Sequence, residues 1–238
     1  MKNSTKWFMG MIVGLFVLAS YLPRAKAAEK DLYNFLWLDP DKKVYVLQNK
    51  VYKREHTVYL DVGYLKALSS KFQNTNGFKI KGGYYFKEEW AVELFFNKYS
   101  NSNNDTYQNA KAVNGIEPFI RRFNSSFGLL GVWTPFYGKI NTFNRIYYFD
   151  WSFGAGPAFI KAESNLKTAA ASGTENRYDK ESMTGAMGKT ELRFHLSKNV
   201  HIGLEYQNTM YKAAGPRTPN TKSWCNNGDA LISVGFSF

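Results

Sequence analysis

Few side chains in this sequence could support covalent or metal chemistry. There are three histidines, His56, His195 and His201, and one cysteine, Cys225. His195 and His201 flank Ser197-Lys198-Asn199, so a turn there would bring the two imidazoles face to face. Two imidazoles without carboxylate or thiol neighbours make a poor metal site, because stable centres draw on three or four ligands. They read as polar residues at a wet rim, with no metal and no cofactor implied. One cysteine cannot build an internal disulfide framework, and Cys225 reads as an incidental loop residue. No zinc-finger, Walker or dinucleotide pattern is present, and nothing points to nucleic acid.

A second set of charged residues is more informative. Asp61, Lys81, Glu93, Glu191, Arg193 and Glu205 all sit in segments of period two, on the face opposite the apolar one. The elements that must position them are strands. In "TVYLDVGYLK", Val58, Leu60, Val62 and Tyr64 share one face and Tyr59, Asp61 and Gly63 the other. "GFKIKGGYYF" and "WAVELFFNK" alternate in the same way, and Ser125–Trp133, Arg145–Ile160, Ser182–Leu196, Val200–Lys212 and Asp229–Phe238 bring the candidates to eight. "KEE" and "SKN" are tight connections, whereas "SNSNNDTYQNAKAVN", "ESNLKTAAASGTENRYDK" and "AAGPRTPNTKSWCNN" are long and polar. Short turns at one end, long loops at the other and an even strand count are the pattern of a closed antiparallel transmembrane β-barrel, an up-and-down meander. Strands of about ten residues suffice to cross a bilayer when tilted.

Closure explains the last residues, "LISVGFSF". Ala230, Ile232, Val234, Phe236 and Phe238 form an apolar face that runs to the terminus, as expected of a last strand that pairs back with the first and leaves no edge in lipid. Phe86, Trp90, Trp133 and Phe194 gather at the short-turn end as an interfacial aromatic girdle. A soluble lipocalin-like barrel would reverse the faces, apolar inside and polar outside.

The first residues fit export. Lys2 and Lys6 precede the apolar run Trp7–Ala19, and "AKA" at Ala25–Ala27 supplies a small-residue cleavage site. The expected organisation is a signal peptide at 1–27, a periplasmic segment at 28–54 and a barrel at 55–238. Cleavage would remove Lys2, Lys6, Arg24 and Lys26 and take the formal charge from +12 to +8. The remaining basic excess suits anionic lipid headgroups or phosphorylated glycolipids. Mean hydropathy is −0.41, which excludes a helical membrane protein.

Gly235, Phe236 and Phe238 resemble the C-terminal signal by which outer-membrane barrels are recognised by their assembly machinery, with a shorter spacing from the glycine than the common form. "VYVLQNKVYKREHTVYLDVGY" and "VWTPFYGKINTFNRIYYFDWSFGAGPAF" resemble the outer-membrane β-barrel domain family of myxobacteria and Bdellovibrio-like bacteria, through Thr134-Pro135, Tyr137-Gly138-Lys139, Phe149-Asp150, Gly154 and Gly156. The resemblance covers roughly Val44 to the end. It implies a Gram-negative cell envelope, outer-membrane lipids and lipopolysaccharide as surroundings, and the barrel assembly machinery as partner. It brings no catalytic residues.

Enzymatic barrels of the omptin, deacylase or acyltransferase kind place a histidine near the outer leaflet. All three histidines here are expected at the opposite, periplasmic end, so no general base reaches an outer substrate. In a barrel of eight strands the lumen is just wide enough for side chains to fill. Lys81 is expected to reach Asp61 and Glu93, and Arg193 to lie diagonal to Glu205, so that these charges plug the lumen. The expectation is a non-enzymatic structural or surface-interaction barrel acting through its outer loops on an unnamed extracellular partner. A narrow, porin-like pore and a lipid-modifying enzyme are the alternatives.

Overall fold

The computed structural model describes residues 50–115, 117–142, 145–170, 177–216 and 218–238. The expected signal peptide and most of the expected periplasmic segment lie outside the described residues. Eight strands follow in chain order: β1 (Val58–Ala67), β2 (Gln73–Tyr85), β3 (Trp90–Asn103), β4 (Arg121–Thr142), β5 (Arg145–Ser164), β6 (Asp179–His195), β7 (Val200–Gly215) and β8 (Thr218–Ser237). Each pairs antiparallel with the next, and β8 pairs with β1 to close a barrel. At the seam Val58 and Phe238 exchange backbone hydrogen bonds of 3.1 and 2.8 Å, so the terminal residue is part of the wall.

Alternation sorts the faces. In β1, Tyr59, Asp61, Gly63 and Leu65 point inward, while Val58, Leu60, Val62 and Tyr64 lie on the outer surface. A band of outward apolar residues encircles the barrel on all eight strands. No helix among the described residues is long and apolar enough to cross a membrane, and the strands do the spanning.

Most strands run further toward the outer end than expected, and β4 and β8 change most. The fourth strand does not end at Trp133: it bulges between Trp133 and Phe136 and runs on to Thr142, paired with Arg145. The bulge lets β4 continue across Thr134-Pro135 at a point where β3 has stopped pairing, since Trp90↔Trp133 is their last rung. The supposed loop around Cys225 is also strand: β7 reaches Gly215 and β8 begins at Thr218, with Tyr211 opposite Cys225. Cys225 therefore stands in a strand wall, partly buried against the inner cluster of Leu65, Tyr99 and Phe123. Long polar strands replace a loop there because an antiparallel neighbour satisfies every backbone group without an apolar core.

Between β3 and β4 the chain forms a helix, α1 (Asp105–Asn114). Asn104 caps it by accepting from the Tyr107 N–H at 3.0 Å, and Gly115 closes it at φ 63°, a left-handed conformation suited to glycine. A second short helix, α2 (Leu166–Ala170), follows β5.

Candidate functional site

The inward charges meet in one cluster near the end where β2–β3 and β6–β7 turn tightly. Lys81 Nζ lies 2.7 Å from Glu191, 2.7 Å from Glu205 and 3.3 Å from Asp61. Lys189 Nζ lies 2.6 Å from Glu93 and 3.1 Å from Glu191. Lys79 bonds to Glu205 and, at 3.0 Å, to the side-chain Oε1 of Gln207. Arg193 reaches Asp61 at 3.3 Å and Glu191 at 3.4 Å, with its guanidinium 4.4 Å from the Tyr59 ring centre. The Tyr59 hydroxyl donates to Glu93 at 2.7 Å. None of these four carboxylates and four cations is more than 5% exposed. Charges so far from water require partners, and here each has at least one.

The register brings like charges together as well. Glu191 and Glu205 face each other directly across β6 and β7, an unfavourable pair taken alone. Lys81 sits between them, which turns the repulsion into a bridge.

Two expected contacts differ. Lys81 does not pair with Glu93, which is held by Lys189 instead, and Arg193 turns to Asp61 rather than Glu205. The cross-strand rule considers only neighbours, but a narrow barrel lets side chains cross the lumen: Lys189 is on β6 and Glu93 on β3. Lys79 and Lys189 were not among the expected members. Their parity, two residues from Lys81 and Glu191, marks them as inward.

The histidines are also differently placed. His201 is not at a wet rim: it is 1% exposed, and Nε2 lies 2.7 Å from Asp61. His195 Nε2 lies 2.8 Å from Asp150. Each therefore has a carboxylate neighbour, contrary to expectation, and the two rings are 6.3 Å apart. No group of three or more metal-ligating side chains forms among the described residues. Gly235 stands opposite both Asp61 and His201, and a Cβ there would come within 1.8 Å of Asp61 Oδ1 and 2.3 Å of His201 Nε2. The glycine makes room for that pair.

At the tight-turn end the chain before β1 lies against the barrel. Arg54, 5% exposed, places Nη1 2.8 Å from Asp150, and Tyr52 stacks on His195 at 4.6 Å. The Arg54 and Glu55 N–H groups both donate to Glu88 at 3.1 Å. Partial burial raises the Glu88 pKa, but bonds from Lys50 and these amides outweigh it and hold the carboxyl below its usual range.

Towards the other end the filling changes. Asp229 accepts from Gln207 at 2.8 Å, Tyr99 at 3.0 Å and Asn227 at 2.8 Å. Above it Tyr99, Phe123 and Tyr211 pack edge to face, with ring centres 5.9 and 5.2 Å apart. Over these rings opens a cavity of about 220 Å³, lined by Gln73, Thr75, Asn101, Arg121 and Asn227 among others.

The girdle residues lie on the outside. Phe86, Trp90 and Trp133 are exposed, the two tryptophans stack at 6.1 Å, and Phe194 is half-buried against Phe149 at 6.0 Å. Phe236 and Phe238 are likewise exposed on the outer surface.

The family model described as outer membrane protein beta-barrel domain matches residues 47–238. The chain belongs to that family. It is an outer-membrane protein, and in barrels of that membrane the short turns face the periplasm. No curated protein matches it. Among solved structures it is similar to Ail, the attachment invasion locus protein of Yersinia pestis, at 15% identity over 77% of this chain and 99% of that one, with a TM-score of 0.46. It is also similar to Neisserial surface protein A (17% identity, 76% and 96% covered, TM-score 0.44). A third is OprG from Pseudomonas aeruginosa (12% identity, 79% and 98% covered, TM-score 0.42).

Proposed function

We propose that this outer-membrane barrel is a closed, non-enzymatic structural or surface-interaction protein whose lumen is plugged by its own charges. The observation that carries this reading is the cluster of four buried carboxylates neutralised by four buried cations. Opening a path through it would strand charges in a low-dielectric wall. Interaction would then fall to the outer end, with α1, the long loops and the polar mouth cavity facing an extracellular partner. The test is planar-bilayer conductance of the purified protein. The expected result is no steady steps, whereas reproducible ion-conducting steps would overturn the reading in favour of a narrow pore.

A second reading rests on one contact. Ser237 Oγ lies 3.3 Å from His201 Nδ1, and His201 bonds to Asp61, the composition of a hydrolase triad. Against it, the same Asp61 is shared with Lys81 and Arg193. A serine-reactive fluorophosphonate probe should leave Ser237 unlabelled; labelling lost in Ser237→Ala would favour an enzyme.

The proposal extends to biogenesis. Residues 1–27 act as a cleaved signal peptide, residues 28–54 as a periplasmic segment, and Gly235, Phe236 and Phe238 as the signal to the assembly machinery. The Thr134-Pro135 and Tyr137-Gly138-Lys139 elements support the narrower myxobacterial and Bdellovibrio-like type. Deleting Phe238 should lower the amount of heat-modifiable barrel in the outer membrane, and unchanged levels would remove the terminal residue from that role.

A further inference from the structure

The outer surface is asymmetric along the barrel axis. Moving up each strand from the apolar band, the first outward-facing charge is a lysine on six strands: Lys66, Lys98, Lys161, Lys180, Lys212 and Lys222, all exposed. Below them, none of the described outward positions in the apolar band is charged. Three of these lysines, Lys161, Lys212 and Lys222, line one groove of about 810 Å³ on the outward face of β4 to β8. Its lower wall is apolar, with Phe127 and Phe159 stacked at 5.2 Å, and Ala186 beside them. Trp224 closes one side at 71% exposure, with Lys212 Nζ 4.7 Å from its ring centre. Among the described residues no acidic side chain lines the groove; Glu163 lies opposite Lys180 in register, outside it.

We infer that this groove seats a phosphorylated lipid of the outer leaflet, with its phosphate on Lys161, Lys212 and Lys222 and an acyl chain against Phe127, Phe159 and Ala186. A cationic rim directly above an apolar wall matches an amphiphile. Free phosphate would answer the lysines and leave the ring wall uncovered. The long lysine stems let each ammonium rise from the apolar band to headgroup level, and an exposed tryptophan at that depth favours the interface. The seat is on the outside of the wall and does not depend on whether the lumen conducts.

The test uses the folded protein in detergent micelles and native mass spectrometry. The probes are lipid A carrying two phosphates, its dephosphorylated form, and inorganic phosphate as competitor. The expected result is one retained phosphorylated lipid, with retention weakened on the order of fivefold for each lysine removed in Lys161→Gln, Lys212→Gln and Lys222→Gln. Lys66→Gln with Lys98→Gln, on the other side of the barrel, should leave retention unchanged. Heat-modifiability confirms that each variant is folded. If the triple variant does not fold, Lys212→Gln and Trp224→Ala separately serve the same comparison. Equal loss from both lysine sets would overturn the groove in favour of a diffuse cationic ring. Equal retention of the dephosphorylated lipid would overturn the phosphate contact, and full displacement by inorganic phosphate would reduce the site to an anion site.

Discussion

In the periplasmic half of the lumen, one ammonium, Lys81, touches three carboxylates; in the outer half, one carboxylate, Asp229, is held by three neutral donors. Both arrangements keep a charge out of water. The lower one does so by mutual neutralisation, so that no member can be removed without exposing another. The upper one disperses a single charge over an amide, a phenol and a second amide, each contributing one ordinary hydrogen bond. The difference teaches where the barrel is locked and where it tolerates change. The region that tolerates change is the one beneath the outer mouth.

The largest expected effect is that of Lys81→Met. It leaves Asp61, Glu191 and Glu205 short of a partner, and breaking a buried ion pair from one side costs about 3–5 kcal/mol. Urea unfolding followed by heat-modifiability on gels should show it, and a loss below about 1 kcal/mol, the size of a lone surface pair, would break the comparison. Next is Gly235→Ala, where the added methyl collides with Asp61 and His201 and overpacking costs about 1–3 kcal/mol. Gly188→Ala is its control, since nothing lies within 4 Å of that position, and should be harmless. Asp229→Asn should cost less, about 1 kcal/mol, because the shape is kept and only one donor is turned against a donor. A cost equal to that of Lys81→Met would show that the upper half is locked as well.

The smallest effect concerns α1 in the outer loop. Glu117 accepts from Tyr107 and Lys111, both at 2.5 Å. Desolvation raises its pKa, but these bonds outweigh it and hold the carboxyl below 4.5. A folded value below the unfolded one means the contribution is fully present above pH 4.5 and is lost as pH falls through the folded value. The partly exposed pair is worth about 0.2–1 kcal/mol. Amide hydrogen exchange should show Asp105–Asn114 losing protection on acidification, ahead of the strands. Simultaneous loss in both would mean that α1 is not a separate unit.

Some of what the structure adds was within reach of the sequence. Asn104 before Asp105 and Gly115 after Asn114 are the start and stop residues of a helix, in a stretch whose polar composition reads as loop. Lys79 and Lys189 share the parity of Lys81 and Glu191, and alternation alone puts them in the lumen. The long strands through Thr142 and Cys225 were less accessible, because polar segments carry no apolar alternation to mark them. Their strand character comes from the antiparallel partner at each rung.

What the sequence by itself determined is the sidedness. Period two, charge on one face and apolar residues on the other, with an apolar face running to Phe238, leads to a closed barrel with charged residues inside, because lipid tolerates neither a free edge nor an outward charge. What only the tertiary structure decided is who pairs with whom. Lys189 on β6 bonds to Glu93 on β3, Arg193 on β6 to Asp61 on β1, and Lys79 on β2 to Glu205 on β7. None of these strands are neighbours in the sheet. Parity places a side chain in the lumen, but closure and strand stagger set which opposite wall its tip can reach, and in so narrow a barrel that reach outweighs adjacency.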